Sequence, residues 1–205
     1  MKLLKIFDKR ENKRGHRPII YRDSVRGIIL KGTKILLVYS ETNDEYKFPG
    51  GGAIDGEMKK ETLKREVLEE VGKEVGSVNE SLGYIDQIYN DIYDDKKYFY
   101  LRSYYYFCEV YDENFEQKLD NYEQDLKFVP KWVTLEEAIE TNQRCFDNDS
   151  KYHWTERELF VLKLLKRMRP WEALRLQKDL KYLILNYQKE AQNIAQDMIL
   201  NWLMI

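Results

Sequence analysis

Apolar residues in the first third of the chain fall in short runs that suit buried or half-buried strands. Residues 24–31 and 34–40 read as a strand pair that turns at Lys31-Gly32-Thr33. A short strand at Tyr46–Phe48 runs into Pro49 and the consecutive glycines Gly50, Gly51 and Gly52, which end regular structure. The period then changes: Leu63, Val67 and Val71 lie at i, i+4 and i+8, so 58–71 is predicted to be a helix with one apolar stripe. Residues 82–92 and 97–110, rich in Tyr, Ile, Phe and Val, read as a hairpin turning at Asp94-Asp95-Lys96.

Beyond the hairpin, a polar loop at 112–126 precedes a strand at 127–133, and Thr134 with Glu137 forms a capping-box signature for a short helix. Thr155 and Glu158 repeat that signature before an apolar-periodic helix to about Met168. Residues 8–15 read as a charged loop after a short apolar start. Pro170 breaks the pattern, and 171–205 read as one or two further helices with Leu176, Leu180, Leu183 and Tyr187 on a stripe. Strands, a helix, strands, then helices predict an α/β fold of the α+β-sandwich type, a mixed sheet between helices. The expected organisation is a domain at 1–169 and a C-terminal helical extension at 170–205, which packs on the domain or forms a homodimer contact.

Composition narrows the partners. A net charge of -2 supplies no positive field for a nucleic acid polymer. The apolar runs are far shorter than the roughly 20 residues needed to span a bilayer, and Asp8 interrupts any leader-like start. A cytoplasmic, membrane-free protein is expected. Cys108 and Cys145 stand apart from each other and from His16 and His153, so reduced thiols fit better than a zinc site or a disulfide.

Chemistry concentrates in GGAIDGEMKKETLKREVLEEVG, residues 51–72. Helical residues three and four apart share a face, so Glu66, Glu69 and Glu70 can approach one another and Arg65 can reach Glu69. Clustered carboxylates repel unless a cation is present, and oxygen donors of this kind suit Mg²⁺. The backbone at Gly50, Gly51 and Gly52 carries no side chain to keep phosphates away, making these glycines candidate substrate-binding positions. A solvated helix laced with Glu–Lys pairs is the plainer origin of such a string; the glycine turn in front of it argues for a site. A phosphate-binding P-loop is excluded because Glu57-Met58 occupies the place of its Lys-Ser/Thr.

The segment resembles the Nudix box, G-x5-E-x7-R-E-U-x-E-E-x-G-U, at Gly51, Glu57, Arg65, Glu66, Val67, Glu69, Glu70 and Gly72, with Lys73 replacing the last aliphatic residue. Seven fixed Gly, Glu and Arg positions would coincide by chance on the order of once in 10⁸ starts. The Lys73 stem is expected to cover apolar surface while its ammonium reaches water. The resemblance implies a Nudix fold and Mg²⁺-dependent hydrolysis, with Mn²⁺ as a substitute, of a nucleoside diphosphate linked to another moiety, including NTPs or oxidised dNTPs. It also implies Glu66, Glu69, Glu70 and Glu57 as metal residues, and Glu66, Glu69 and Arg65 as catalytic ones. Glu123 is a candidate for a later acidic contribution. The alternative is a nucleotide- or ADP-ribose-binding regulatory module without turnover. Tyr84, Tyr89 and Tyr93 are expected to be mainly packing residues with wet hydroxyls.

Overall fold

The computed structural model describes residues 1–11, 17–91, 93, 94, 96–148 and 153–168. The stripe after Pro170, the extension at 170–205 and His16 therefore lie outside the described residues. The chain divides into two compact units, Met1–Lys163 and Leu164–Ile205, and the sheet and the candidate site belong to the first.

Among the described residues seven strands form one mixed sheet: β1 (Leu3–Asp8), β2 (Ile19–Lys31), β3 (Lys34–Ser40), β4 (Glu45–Lys47), β5 (Val75–Asn90), β6 (Tyr98–Val110) and β7 (Phe128–Thr134). The main order is β1-β5-β6-β2-β3-β4, and β7 also pairs with β3. β5 and β6 form the expected antiparallel hairpin, whereas β2 runs parallel to β6 from the Ile19–Tyr98 pair to Ile29–Cys108. The turn between β2 and β3 closes through Gly32 as predicted.

Alternation along β2 separates its two faces. Val25 and Ile29 pack in the core with Leu36, Val38, Cys108 and the Leu63–Val67–Val71 stripe of helix α1 (Lys59–Val71). The intervening side chains Arg22, Ser24 and Arg26 line a cavity instead. Gly72 ends α1 in the left-handed conformation, φ 61°, and its amide bonds to the Leu68 carbonyl.

Across the sheet, residues 154–163 of helix α4 (Trp154–Arg167) supply a second layer. Arg157, 2% exposed, donates to the Gln87 side chain on β5 and to Ser103 on β6, while Phe160 meets Phe7 edge-on. A mixed sheet between helices is thus observed, as the sequence predicts.

Five local expectations need correction. Leu3–Asp8 is a strand parallel to β5, and β5 itself begins at Val75 rather than near residue 82. The 112–126 loop contains a short helix, α2 (Asn121–Asp125), and the helix capped by Thr134 is a full α3 (Leu135–Asp147). Thr155 lies within the first turn of α4, where its hydroxyl bonds to buried Glu45 at 2.6 Å, and Glu158 accepts from Arg157 and the Phe48 amide. Tertiary contacts claim both side chains of that apparent capping box.

Candidate active site

Helix α1 and the loop before it build the site because both are fastened to β2. Gly27 donates to the Pro49 carbonyl at 2.8 Å, Val25 to Gly51 at 2.9 Å, and the Ala53 amide to Asp23 at 3.0 Å. Gly50 sits at φ 134°, and a Cβ there would collide with the Val25 carbonyl oxygen. Only glycine fits this backbone beside β2.

Arg65 gathers the box carboxylates. Its Nε and Nη2 each donate to Glu57 at 3.0 Å, while Nη1 donates to Glu66 at 2.8 Å and Glu69 at 3.0 Å. The Glu66 carboxylate lies against Gly51, in the space a Cβ would need. The guanidinium holds Glu57 well below the usual range, at about 2. Burial pushes Glu66 the other way, upward, against the pull of Arg65.

Glu70 is placed differently. With Leu63, Val67 and Val71 it occupies the buried side of α1, and it is 1% exposed. Lys47 Nζ lies 2.5 Å from one carboxylate oxygen, and the Gly50 amide donates to the other at 2.6 Å. Burial raises its pKa to about 7, with Lys47 and Arg26 opposing and Glu123 reinforcing the rise. Glu123, on α2, is itself buried and accepts from the Tyr122 hydroxyl and the Asp120 amide. The sequence-predicted carboxylates therefore form two groups: Glu57, Glu66 and Glu69 on Arg65, and Glu70 on Lys47 with Glu123 within its electrostatic reach.

The donor chemistry fits a hard divalent cation, since every candidate ligand is a carboxylate and Glu66 and Glu69 converge on one guanidinium nitrogen. Among the described residues no three acidic, histidine or cysteine side chains already form a ready-made cage. Gly50 has its amide committed to Glu70, Gly51 has its carbonyl committed to Val25, and Gly52, bridged to Ser24, has its carbonyl 3.5 Å from Arg65.

A cavity of about 500 Å³ opens beside Gly51 and Gly52, between the Arg22–Ser24–Arg26 face of β2 and Tyr89, Phe99 and Leu101 of the hairpin. Tyr89 and Tyr93 line it, whereas Tyr84 packs on Tyr104 and under the Arg102 guanidinium. His153 stacks on Tyr89, 4.3 Å between centroids. Lys73 departs from the box without disturbing it: its ammonium bonds to the carbonyls of Asp112 and Glu113 rather than only to water. Lys47, Arg22 and Arg26 are not picked out as site residues by the sequence reading; for the two arginines the period-2 spacing of Arg22, Ser24 and Arg26, leading into the apolar run after Gly27, is the signal that marks them.

The NUDIX domain family matches residues 20–156. The chain belongs to the Nudix hydrolase family. No curated protein matches the sequence. Among solved structures, a Nudix hydrolase from Nitrosomonas europaea is 18% identical, with 62% of this chain and 86% of that one covered at a TM-score of 0.46. MutT, studied from Aliivibrio salmonicida and Vibrio cholerae, is also 18% identical, with 64% and 97% covered at a TM-score of 0.40. A UDP-X diphosphatase is 20% identical, with 66% of each chain covered at a TM-score of 0.41. Among the described residues no helix is long and apolar enough to cross a membrane.

Proposed function

We propose that this Nudix protein hydrolyses a nucleoside diphosphate linked to another moiety, with Mg²⁺ as cofactor and water as nucleophile. The observation that carries the reading is Arg65 holding Glu57, Glu66 and Glu69 beside a glycine turn that borders a nucleotide-sized cavity. A cation held by Glu66 and Glu69, with Glu57 and Glu70 as further ligands, would neutralise phosphoryl charge and lower the pKa of water.

The protein's own residues do the positioning. Arg65 fixes Glu66 through Oε1, leaving the oxygen nearest Gly51 available to accept a proton from water. Gly50, Gly51 and Gly52 keep side chains out of the path of the phosphates.

A second reading, a nucleotide- or ADP-ribose-binding module without turnover, draws on one feature: Lys47 already neutralises Glu70. Incubation with Mg²⁺ and a panel of NTPs, oxidised dNTPs, ADP-ribose, NADH, dinucleoside polyphosphates and CoA decides between them. The proposal expects turnover of at least one compound, abolished by chelator. Binding of panel members without any turnover supports the regulatory reading instead.

A further inference from the structure

The cavity beside the glycine turn contains an unmet cation. Arg26 points from β2 to this face, is 8% exposed, and its Nε and Nη1 are buried with no hydrogen-bond partner. Leaving two charged donors unsatisfied in a buried position is costly, and native interiors almost always avoid it. A second arginine, Arg22, stands two pleats along the same strand face, its guanidinium filling the space beside Gly52. Further into the cavity Tyr89 and Phe99 present aromatic surface.

Position gives the orphaned guanidinium a purpose. Arg26 feels the fields of Glu66 and Glu70, so it sits between the carboxylate side of the glycine turn and the aromatic end of the cavity. A nucleotide laid along this path would stack its base near Tyr89 and Phe99 and bring its first phosphate to the cation, on its way to the carboxylates. We propose that Arg26 is a substrate-binding residue that takes a phosphoryl oxygen of the nucleotide half of the substrate. The proposal rests on the hydrolase reading for the identity of that substrate, and on the unmet donors and the cavity for the anion. Guanidinium is the group best matched to such an oxyanion, because its planar fork can offer two N–H donors at once.

Binding of 5′-nucleoside monophosphates and of the corresponding nucleosides, measured by calorimetry for the wild type, Arg26→Lys and Arg26→Gln, tests this directly. Thermal melts establish that each variant is folded. The wild type is expected to prefer a monophosphate over its nucleoside, and Arg26→Gln to lose about 10- to 100-fold in monophosphate affinity with little change for the nucleoside. Arg26→Lys should recover part of that loss. An equal loss for monophosphate and nucleoside would reveal a packing role and overturn the proposal, as would a wild type without preference for the phosphate.

Assaying turnover of the same proteins separates the two claims. Wild-type hydrolysis together with an unchanged monophosphate preference in Arg26→Gln sinks the Arg26 assignment alone. Arg26-dependent phosphate binding without wild-type hydrolysis sinks the hydrolase reading alone.

Discussion

Lys47 and Glu70 form a buried ion pair at 2.5 Å beneath the glycine turn, and the Gly50 amide completes the carboxylate's shell. This pair couples the strand that enters the turn to the helix that leaves it. Burial favours protonated Glu70, with a pKa near 7 against an ordinary 4.5, so its contribution to stability is full below about 4.5 and is lost as pH rises through 7. Lys47 opposes that loss. In chelator, Lys47→Met should therefore be destabilised by about 3 kcal/mol at alkaline pH and by clearly less at pH 5. Adding Glu70→Gln to Lys47→Met should restore much of the deficit. Denaturant melts across pH check this; a deficit that does not vary with pH contradicts it.

Glu57 behaves in the opposite sense. Its carboxylate is held at about 2 by Arg65, below the ordinary 4.5, so the stability it contributes is present above 4.5 and disappears as pH falls through 2. Without metal, Glu57→Gln should melt below the wild type at neutral pH, and the gap should close in acid. A gap that persists undiminished below pH 2 would show that the Glu57–Arg65 contact is not the source of the difference.

Much of this site can be read from the chain, and the exceptions have physical causes. The glycine turn and the α1 stripe are local features, and helical spacing brings Glu69 to Arg65 beside Glu66, while Glu57, which only the resemblance singled out, joins them from the loop before the helix. Glu70 departs from the face expected to gather Glu66, Glu69 and Glu70: three residues after Val67 and seven after Leu63, it turns inward with the apolar stripe. What escapes is set by distant partners. Leu3–Asp8 becomes a strand only because β5 offers an edge some 80 residues away, and the polar start of β5 is held by pairing with β6. Thr155 and Glu158 carry a helix-start signature that Glu45 and Phe48 override from across the fold.

The glycines can be tested separately for shape and for chemistry. Gly51→Ala would meet only the movable end of Glu66, so the protein should melt close to the wild type while turnover falls about 10-fold or more as Glu66 is displaced. Gly50→Ala meets backbone at a positive φ and should lose about 1–3 kcal/mol of stability. Equal melting temperatures for the two variants would contradict this division.

The buried Arg157–Glu158 pair connects to the glycine turn, because Glu158 accepts from the Phe48 amide, two residues before Gly50. Arg157→Met leaves that carboxylate without its cation and should cost about 3–5 kcal/mol. Pairing it with Glu158→Gln should recover most of the loss in a denaturant melt. Failure to recover would mean that the ion pair is not what the arginine maintains.

The central claim is that water attacks phosphorus with Mg²⁺ and the Arg65-gathered carboxylates in place. Turnover in ¹⁸O-labelled water with the best substrate of the panel tests it most directly. The account predicts one ¹⁸O in a phosphoryl product in Mg²⁺, no product in chelator, and a fall of at least about 100-fold in folded Glu69→Gln. No labelled product from any panel member, or full activity in Glu69→Gln, would contradict it.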